Sequence, residues 1–417
     1  MKTGSNVVFA FFACATLSCR AEIAPVSPVG GETVAIIPEA QRKVMSLPTL
    51  ADRIRLFKDD ETGDKSLRHD KTWRKAAPLL LKWRTTAGEK GPWKIEIGKS
   101  PDLADARTFY ISAAMADEAT GRTEAGGEDV PLARNVSCEL KTANLETGRE
   151  YHWRVTSRGR CAKWNCNSRC KCEEHKRVTR SDVESFRTEE AAPRWIRIEG
   201  NVRNIRDLGG WTAEGGRRVR QGMAYRGQGL NDNSVTGETQ GPNRLTVEDL
   251  KYLTGTLGVR TDLDLRSTGE TADLETSPLG QSVALVFVPL RSYDHIFKPE
   301  GKKFMAEAFR LFCDRKNYPI YFHCIGGADR TGSLAYVLNG ILGVCRHDLE
   351  VDWESTFYPK IPDAGYQDDW CREAHFNEGF SKYGAEGDSW NRRIELYLLD
   401  CGVTESEIAA FRAIMLE

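Results

Sequence analysis

Cys324 and Arg330 stand with five residues between them in the segment YFHCIGGADRTGSLAYVLNGIL. At that spacing a loop can curl so that its amide N–H groups and the guanidinium fork surround one tetrahedral dianion, with the sulfur facing the central atom. Gly326, Gly327 and Gly332 are expected to keep the backbone clear and to permit unusual dihedrals, and Ile325 and Ala328 complete the cradle. A helix is expected to start near Thr331, and its N-terminus adds positive potential at the same spot. That field favours the thiolate, the nucleophilic form of a cysteine. Thr331 is expected to hydrogen-bond that thiolate, and His323 to fix the loop from behind. The chemistry is nucleophilic attack on a bound tetrahedral anion. The alternative is a buried structural Cys beside a surface Arg, which the strand before and the helix after the motif disfavour.

The elements that must hold this loop have one texture from residue 197 to 417. VRTDLDL, VALVFVPL and PIYFHC are nearly continuous apolar strands, expected to be buried on both sides. Between them lie helical patterns. Thr246 and Asp249 make a capping box before LKYLTGTLG, and KKFMAEAFRLFCDR places Phe304, Ala308 and Leu311 on one face. Helices follow near HDLEVDWESTFY, WNRRIELYLLD and TESEIAAFRAIM. Strands alternating with helices predict an α/β layer with a largely parallel central sheet. Asp264 and Arg266 fall at the C-terminal end of a predicted strand, the edge where α/β ligands bind, and are read as a scaffold pair.

The chain before this region reads differently. Leu79, Leu81 and Trp83 alternate with polar residues, as do Trp93, Ile95 and Ile97, then Val136, Cys138 and Leu140, then Tyr151, Trp153 and Val155. Such period-two runs predict an all-β antiparallel sandwich over 24–188, with insertions. Residues 39–75 are charged and poorly periodic and read as an insertion between the first two strands. LETGREYHWRV resembles the corner of fibronectin type III domains, with Leu145, Gly148 and Tyr151 matching its Leu, Gly and strand Tyr. Residues 189–196, beginning EEAAPRW, read as the linker, with Pro193 breaking regular structure.

The Cys, five residues, Arg spacing is the signature of cysteine-dependent phosphatases. Taken with NIRDLGGW (204–211), AYRG (224–227), LTVEDLKYLTGTLGVRTDLDLRSTGE (245–270) and HCIGGADRTG, it resembles the bacterial tyrosine phosphatase family. That family includes secreted enzymes acting on phosphotyrosine and phosphoinositides, and the resemblance spans about residues 197–345. It implies a phosphocysteine intermediate and neither metal nor other cofactor. Many members carry Gly-Lys-Asp-Arg in the loop, where this chain has Gly327, Ala328, Asp329 and Arg330. The missing Lys weakens the phosphoinositide reading, although Arg226, Arg260, Arg266 or Arg291 could supply a cation from another loop. The Trp-Pro-Asp acid loop of other tyrosine phosphatases is absent. Relatives resembling this chain place the general acid inside the phosphate loop, which makes Asp329 the candidate, with a structural carboxylate pairing with Arg330 as its alternative. Asp294, in RSYDHIF, is the second candidate. Arg206 and Asp207 either order the site or serve the scaffold alone.

With 59 Lys and Arg against 60 Asp and Glu, the formal charge is −1, so no global field draws the chain to nucleic acid. Lys2 precedes the apolar run VVFAFFACATL, too short to span a bilayer, and residues 1–21 read as a cleaved export signal. The mature chain is therefore expected to be extracytoplasmic, with a lipid on Cys14 or Cys19 as the minor option. Cys161, Cys166, Cys170 and Cys172, with His175 beyond, offer a metal site or two local disulfides, and export favours the disulfides. If Cys14 and Cys19 leave with the signal and Cys324 stays a thiol, nine of twelve cysteines remain, so one cannot pair within the chain. Cys138, pointing toward the sandwich core, fits that role. The expected protein is a protein-tyrosine phosphatase, the alternatives being a phosphoinositide or inositol phosphate phosphatase and a catalytically silent phosphate-binding module. A protein or glycan is the expected partner of the sandwich.

Overall fold

The computed structural model of the 417-residue chain describes residues 23–58, 74–85, 91–112, 117–120, 134–157, 178–231, 245–271, 274–356 and 373–417. The export segment 1–21 and the cysteine cluster at 161–172 lie outside the described residues. Two compact units divide the chain: Met1–Gly30, Leu81–Cys138 and Tyr151–Ser185 form one, and Gly31–Leu80, Glu139–Glu150 and Phe186–Glu417 the other.

The N-terminal region is rich in strands: β1 (Ile23–Ser27), β2 (Thr33–Val34), β3 (Leu79–Thr85), β4 (Trp93–Gly98), β5 (Arg107–Ile111), β6 (Asp117–Thr120), β7 (Arg134–Leu140), β8 (Glu150–Ser157), β9 (Thr179–Arg180) and β10 (Glu184–Thr188). In one sheet the order is β1, β3, β7, β6; in the other, β4 pairs antiparallel with both β5 and β8, and β9 lies antiparallel along β8. Burial follows the alternation. Leu81, Trp83, Trp93, Ile95, Ile97, Val136, Cys138, Trp153 and Val155 are all inside. Trp83 meets Trp93 edge to face at 5.4 Å between ring centroids, and Trp153 donates its indole N–H to Pro28 O at 2.8 Å.

The poorly periodic 39–75 stretch holds two helices between β2 and β3, α1 (Glu39–Met45) and α2 (Leu50–Lys58). The segment read as a linker is tied down. Glu189 accepts the Ile36 and Ile37 amides at 2.7 and 3.0 Å, and Arg194 donates to Asn144 O, Leu145 O and Asp207.

The second unit is built on a five-stranded sheet in the order β11 (Arg206–Asp207), β12 (Ala224–Gly227), β15 (Ile320–His323), β13 (Thr261–Asp264), β14 (Ala284–Phe287). All neighbours pair in parallel except the short β11. The continuous apolar character of β15 has a direct cause, since both faces are covered. Ile320 and Phe322 enter one hydrophobic cluster and Tyr321 the other, with Ala224 and Tyr225 divided the same way on β12. The edge strand β14 departs from the expectation of two buried faces: Ala284 is exposed and the rest half-buried.

Helices follow the capping signals more closely than the apolar stripes. Thr246 and Asp249 form the expected box, yet α3 (Val247–Leu250) soon widens into a π turn over Lys251–Thr256. On α4 (Pro299–Leu311) the buried stripe is Met305, Ala308 and Phe309, and the expected Phe304 and Leu311 are only half-buried. Next come α5 (Asp329–Ile341), α6 (Arg346–Ser355), α7 (Glu373–Ser381), α8 (Trp390–Asp400) and α9 (Glu405–Met415). From Thr331 to Ile341 every residue of α5 is buried. Truncating one of its large residues, such as Leu338, would cost about 2–5 kcal/mol. No helix among the described residues is long and apolar enough to cross a membrane.

Candidate active site

Parallel pairing sets the position of the nucleophile candidate. His323, the last residue of β15, is in register with Gly227 of β12 and Asp264 of β13, so Cys324 leaves the sheet at its C-terminal edge between two strands. Cys324 is buried and free, and the loop 325–328 turns directly into α5, which begins at Asp329 rather than Thr331.

The loop carbonyls explain its shape. His323 Nδ1 lies 3.1 Å from Cys324 O, Gly229 N donates to Ile325 O at 2.9 Å, and the Asn204 side-chain amide donates to Gly326 O and Gly327 O at 3.0 and 3.1 Å. Arg226 Nη2 reaches Gly327 O at 3.1 Å and Ala328 O at 3.5 Å, and Gly332 N closes on Ala328 O at 2.7 Å. Five successive carbonyls are thus held from outside. A loop whose carbonyls are engaged in this way can offer its N–H groups, together with the helix start, to an anion.

Two of the three motif glycines are required, each for its own reason. Gly327 has φ of +67°, and a Cβ there would lie 2.3 Å from Gly227 O, so only glycine fits. Gly332 is helical, and its missing side chain makes room for the Trp353 ring, which a Cβ would meet at 2.4 Å. Gly326 adjoins open space, so neither unusual dihedrals nor crowding accounts for it.

Arg330 is aimed by a residue the sequence reading did not single out. Its Nη1 and Nη2 donate to Glu270 Oε2 and Oε1 at 2.7 and 2.9 Å, a fork-on-fork pair that leaves the other N–H groups of the guanidinium for a ligand. The bond from Arg330, working against burial and aided by Ser267, takes the Glu270 carboxyl down to about 2. Burial opposes the charge on Arg330, but Glu270 and the nearby Cys324 outweigh it and strengthen the cation. Glu270 was visible as part of a second capping box with Ser267.

Behind the loop lies a buried charge network. Asp352, on α6, accepts Arg206 Nε and Arg226 Nη1, both at 2.7 Å, and Arg206 also donates to Asn204 Oδ1 at 2.9 Å. Burial favours the neutral acid, yet the two guanidinium groups hold Asp352 below the usual carboxylate range. Arg206 therefore supports the loop through Asn204. Asp207 does not join it: it pairs with Arg194 at 2.8 Å and accepts the Gly209 and Gly222 amides.

His323 faces two acceptors, Cys324 O through Nδ1 and Asp262 Oδ1 through Nε2 at 2.9 Å. Only the doubly protonated ring donates to both. Burial disfavours that charge, but Asp264 and Asp262 prevail and raise the proton affinity of His323. Asp264 and Arg266 form the expected scaffold pair, with Arg266 Nη2 2.5 Å from Asp264 Oδ2.

Thr331 Oγ1 is buried and makes no hydrogen bond, so the expected bond to Cys324 is not formed. Asp329 receives the Tyr293 hydroxyl on Oδ1, and its backbone oxygen accepts Ser333 Oγ at 2.9 Å. Asp294, next to Tyr293, is half-exposed and pairs with Lys298 at 3.5 Å. The RSYDHIF loop thus approaches the end of the Cys324 loop through Tyr293. Of the four arginines considered as extra cations, Arg226 and Arg266 are buried in the pairs above. Arg260 precedes β13 at the opposite sheet edge, and Arg291 is exposed with Glu300 3.9 Å away.

Residues 196–360 match the family described as "Tyrosine phosphatase family". A Cupriavidus necator protein bearing the name of a tyrosine-protein phosphatase is 31% identical, over 36% of this chain and 58% of that protein. The chain thus spans a little over half the length of the curated relative it matches. Among solved structures, the core catalytic domain of the PP-IP phosphatase SIW14 from S. cerevisiae, in complex with citrate, aligns at 16% identity over 33% of this chain and 80% of that one, with a TM-score of 0.24.

Proposed function

We propose that the protein hydrolyses phosphate monoesters through a phosphocysteine intermediate, with phosphotyrosine in protein as its substrate. The observation that carries this is the loop itself: Cys324 sits at the sheet edge, each carbonyl from 324 to 328 has a hydrogen-bond partner, and Arg330 is set by Glu270. Cys324 attacks phosphorus while the P–O bond to the leaving group breaks. The loop amides and Arg330 bear the charge on the three phosphoryl oxygens, and Asp329 protonates the leaving oxygen. Water, deprotonated by Asp329, then attacks phosphorus and the S–P bond breaks, returning the thiolate.

The substrate assignment is supported by Ala328, whose methyl group offers no charge to a second phosphate, and by the commitment of Arg226 and Arg266 to buried acids. We further read the enzyme as exported, with the β-rich region a fibronectin type III-like module. Gly148 supports the latter, at φ +63° where the corner motif requires glycine, as does the burial of Tyr151 at the start of β8. Phosphate release from phosphotyrosine peptides and from phosphoinositides, measured side by side, tests the assignment. Preference for the peptides is expected, and preference for the lipid headgroup would reverse it.

A further inference from the structure

The mechanism above gives Asp329 the proton and leaves open what holds its carboxyl in place. The hydroxyl of Tyr293 donates to Asp329 Oδ1 across 36 residues of sequence. A backbone dihedral and two contacts define the placement of Tyr293. Its φ is +56°, in the left-handed region that non-glycine residues seldom occupy; its N–H points to Ser333 Oγ at 3.4 Å, one turn along α5 from Asp329; and its ring meets Trp353 edge to face at 6.0 Å. The same Trp353 packs against Gly332, so Tyr293 and the start of α5 share one buried support.

Downstream the loop is anchored too. Ile296 is fully buried and its carbonyl accepts the Tyr397 hydroxyl at 2.9 Å, while Phe297 packs edge to face on Phe380 and Tyr397. A rigid donor on one carboxyl oxygen leaves the other free to hand its proton onward.

We propose that Tyr293 is the positioning residue for Asp329, acting on the leaving-group step through its hydroxyl. The inference rests on the phosphatase reading. When Asp329 Oδ2 gives its proton to the leaving oxygen, negative charge grows on the carboxylate, and the Tyr293 hydroxyl bond to Oδ1 strengthens as it does so. No atom of Tyr293 enters the reaction. Its contribution should therefore scale with the demand for protonation, being large for a basic phenol and small for an activated one.

The test is a double-mutant cycle with Tyr293→Phe, Asp329→Asn and the pair, on phenyl phosphate and on a nitrophenyl ester. Phe keeps the ring and its contact with Trp353. Tyr293→Phe should lower kcat on phenyl phosphate about tenfold, the scale of one hydrogen bond to a charged group, with little change on the activated ester. In the Asp329→Asn background it should cost nothing further. Equal losses on both esters, or the full loss repeated in that background, would mean a structural role and overturn the assignment. A parent enzyme that turns over while Tyr293→Phe matches it on phenyl phosphate overturns the assignment alone. A parent that releases no phosphate from either ester overturns the phosphatase reading and this assignment together.

Discussion

Glu270 and Arg330, 60 residues apart, meet through two parallel hydrogen bonds of 2.7 and 2.9 Å. The pair fixes the plane of the one guanidinium that the loop motif supplies. Glu270 is itself fixed, because Ser267 donates to Oε2 through both its amide and its hydroxyl at 2.8 and 2.6 Å. The short 3₁₀ turn between Ser267 and Glu270 is thus the base on which Arg330 rests.

Glu270→Gln should keep the fold but loosen Arg330. Hydrogen bonds to charged groups contribute about 1.5–3 kcal/mol, so a loss of about tenfold or more in kcat is expected, with weaker inhibition by vanadate. The pH dependence has a definite sign. The folded carboxyl lies at about 2 against an ordinary 4.5, so its contribution to stability is complete above about 4.5 and lost as pH falls through about 2. The difference in unfolding midpoint between parent and variant should be present at pH 7 and shrink toward pH 2. A constant difference would contradict the pairing.

Arg53 of α2 and Glu354 of α6 form a fully buried pair, with contacts of 2.5 and 2.6 Å. Arg53→Met leaves the buried carboxyl of Glu354 without that partner, and should destabilise the second unit by about 3–5 kcal/mol. Arg53→Met combined with Glu354→Leu should recover most of that loss in thermal unfolding. Glu354 lies two residues from Asp352, so the single variant should also reduce activity near its unfolding midpoint.

Ala328→Lys places a cation beside the loop without disturbing its backbone, since Ala328 adopts ordinary negative dihedrals. Activity on polyphosphorylated phosphoinositides should rise, about tenfold for each 1.4 kcal/mol gained from the added contact. A parent enzyme that already favours those lipids, with no gain from the Lys, would point to Arg291 as the existing cation.

Much of this site was legible because its chemistry is local in sequence. Cys324, Arg330, the strand before them and the helix after lie within one short segment, and the alternating runs of the N-terminal region fixed which residues went inside. What sequence did not show are contacts made across the fold. Asn204, Glu270, Asp352 and Tyr293 each reach the loop or its arginines from another element; local spacing marks Glu270 only as the end of a capping box with Ser267 and does not distinguish the other three from surface polar residues. Asn204 needs a positive φ and Asp352 two buried arginines, both of which emerge only once the sheet has formed. The α2 helix was missed for a related reason: Arg53, polar in a weakly apolar stretch, is buried because Glu354 awaits it. The edge strand β14 misled in the other direction, being apolar in sequence yet covered less than its neighbours.

The central claim is that Cys324 carries the phosphoryl group. Parent enzyme quenched in acid during turnover of an aryl phosphate should yield, by mass spectrometry, a phosphate adduct on the peptide containing Cys324. Cys324→Ser should fold, still bind vanadate and give neither adduct nor turnover, because a serine hydroxyl is far less acidic than a thiol and Asp329 enters that first step as the acid, not as a base. Full activity in the serine variant, or an adduct on any other residue, would contradict the account.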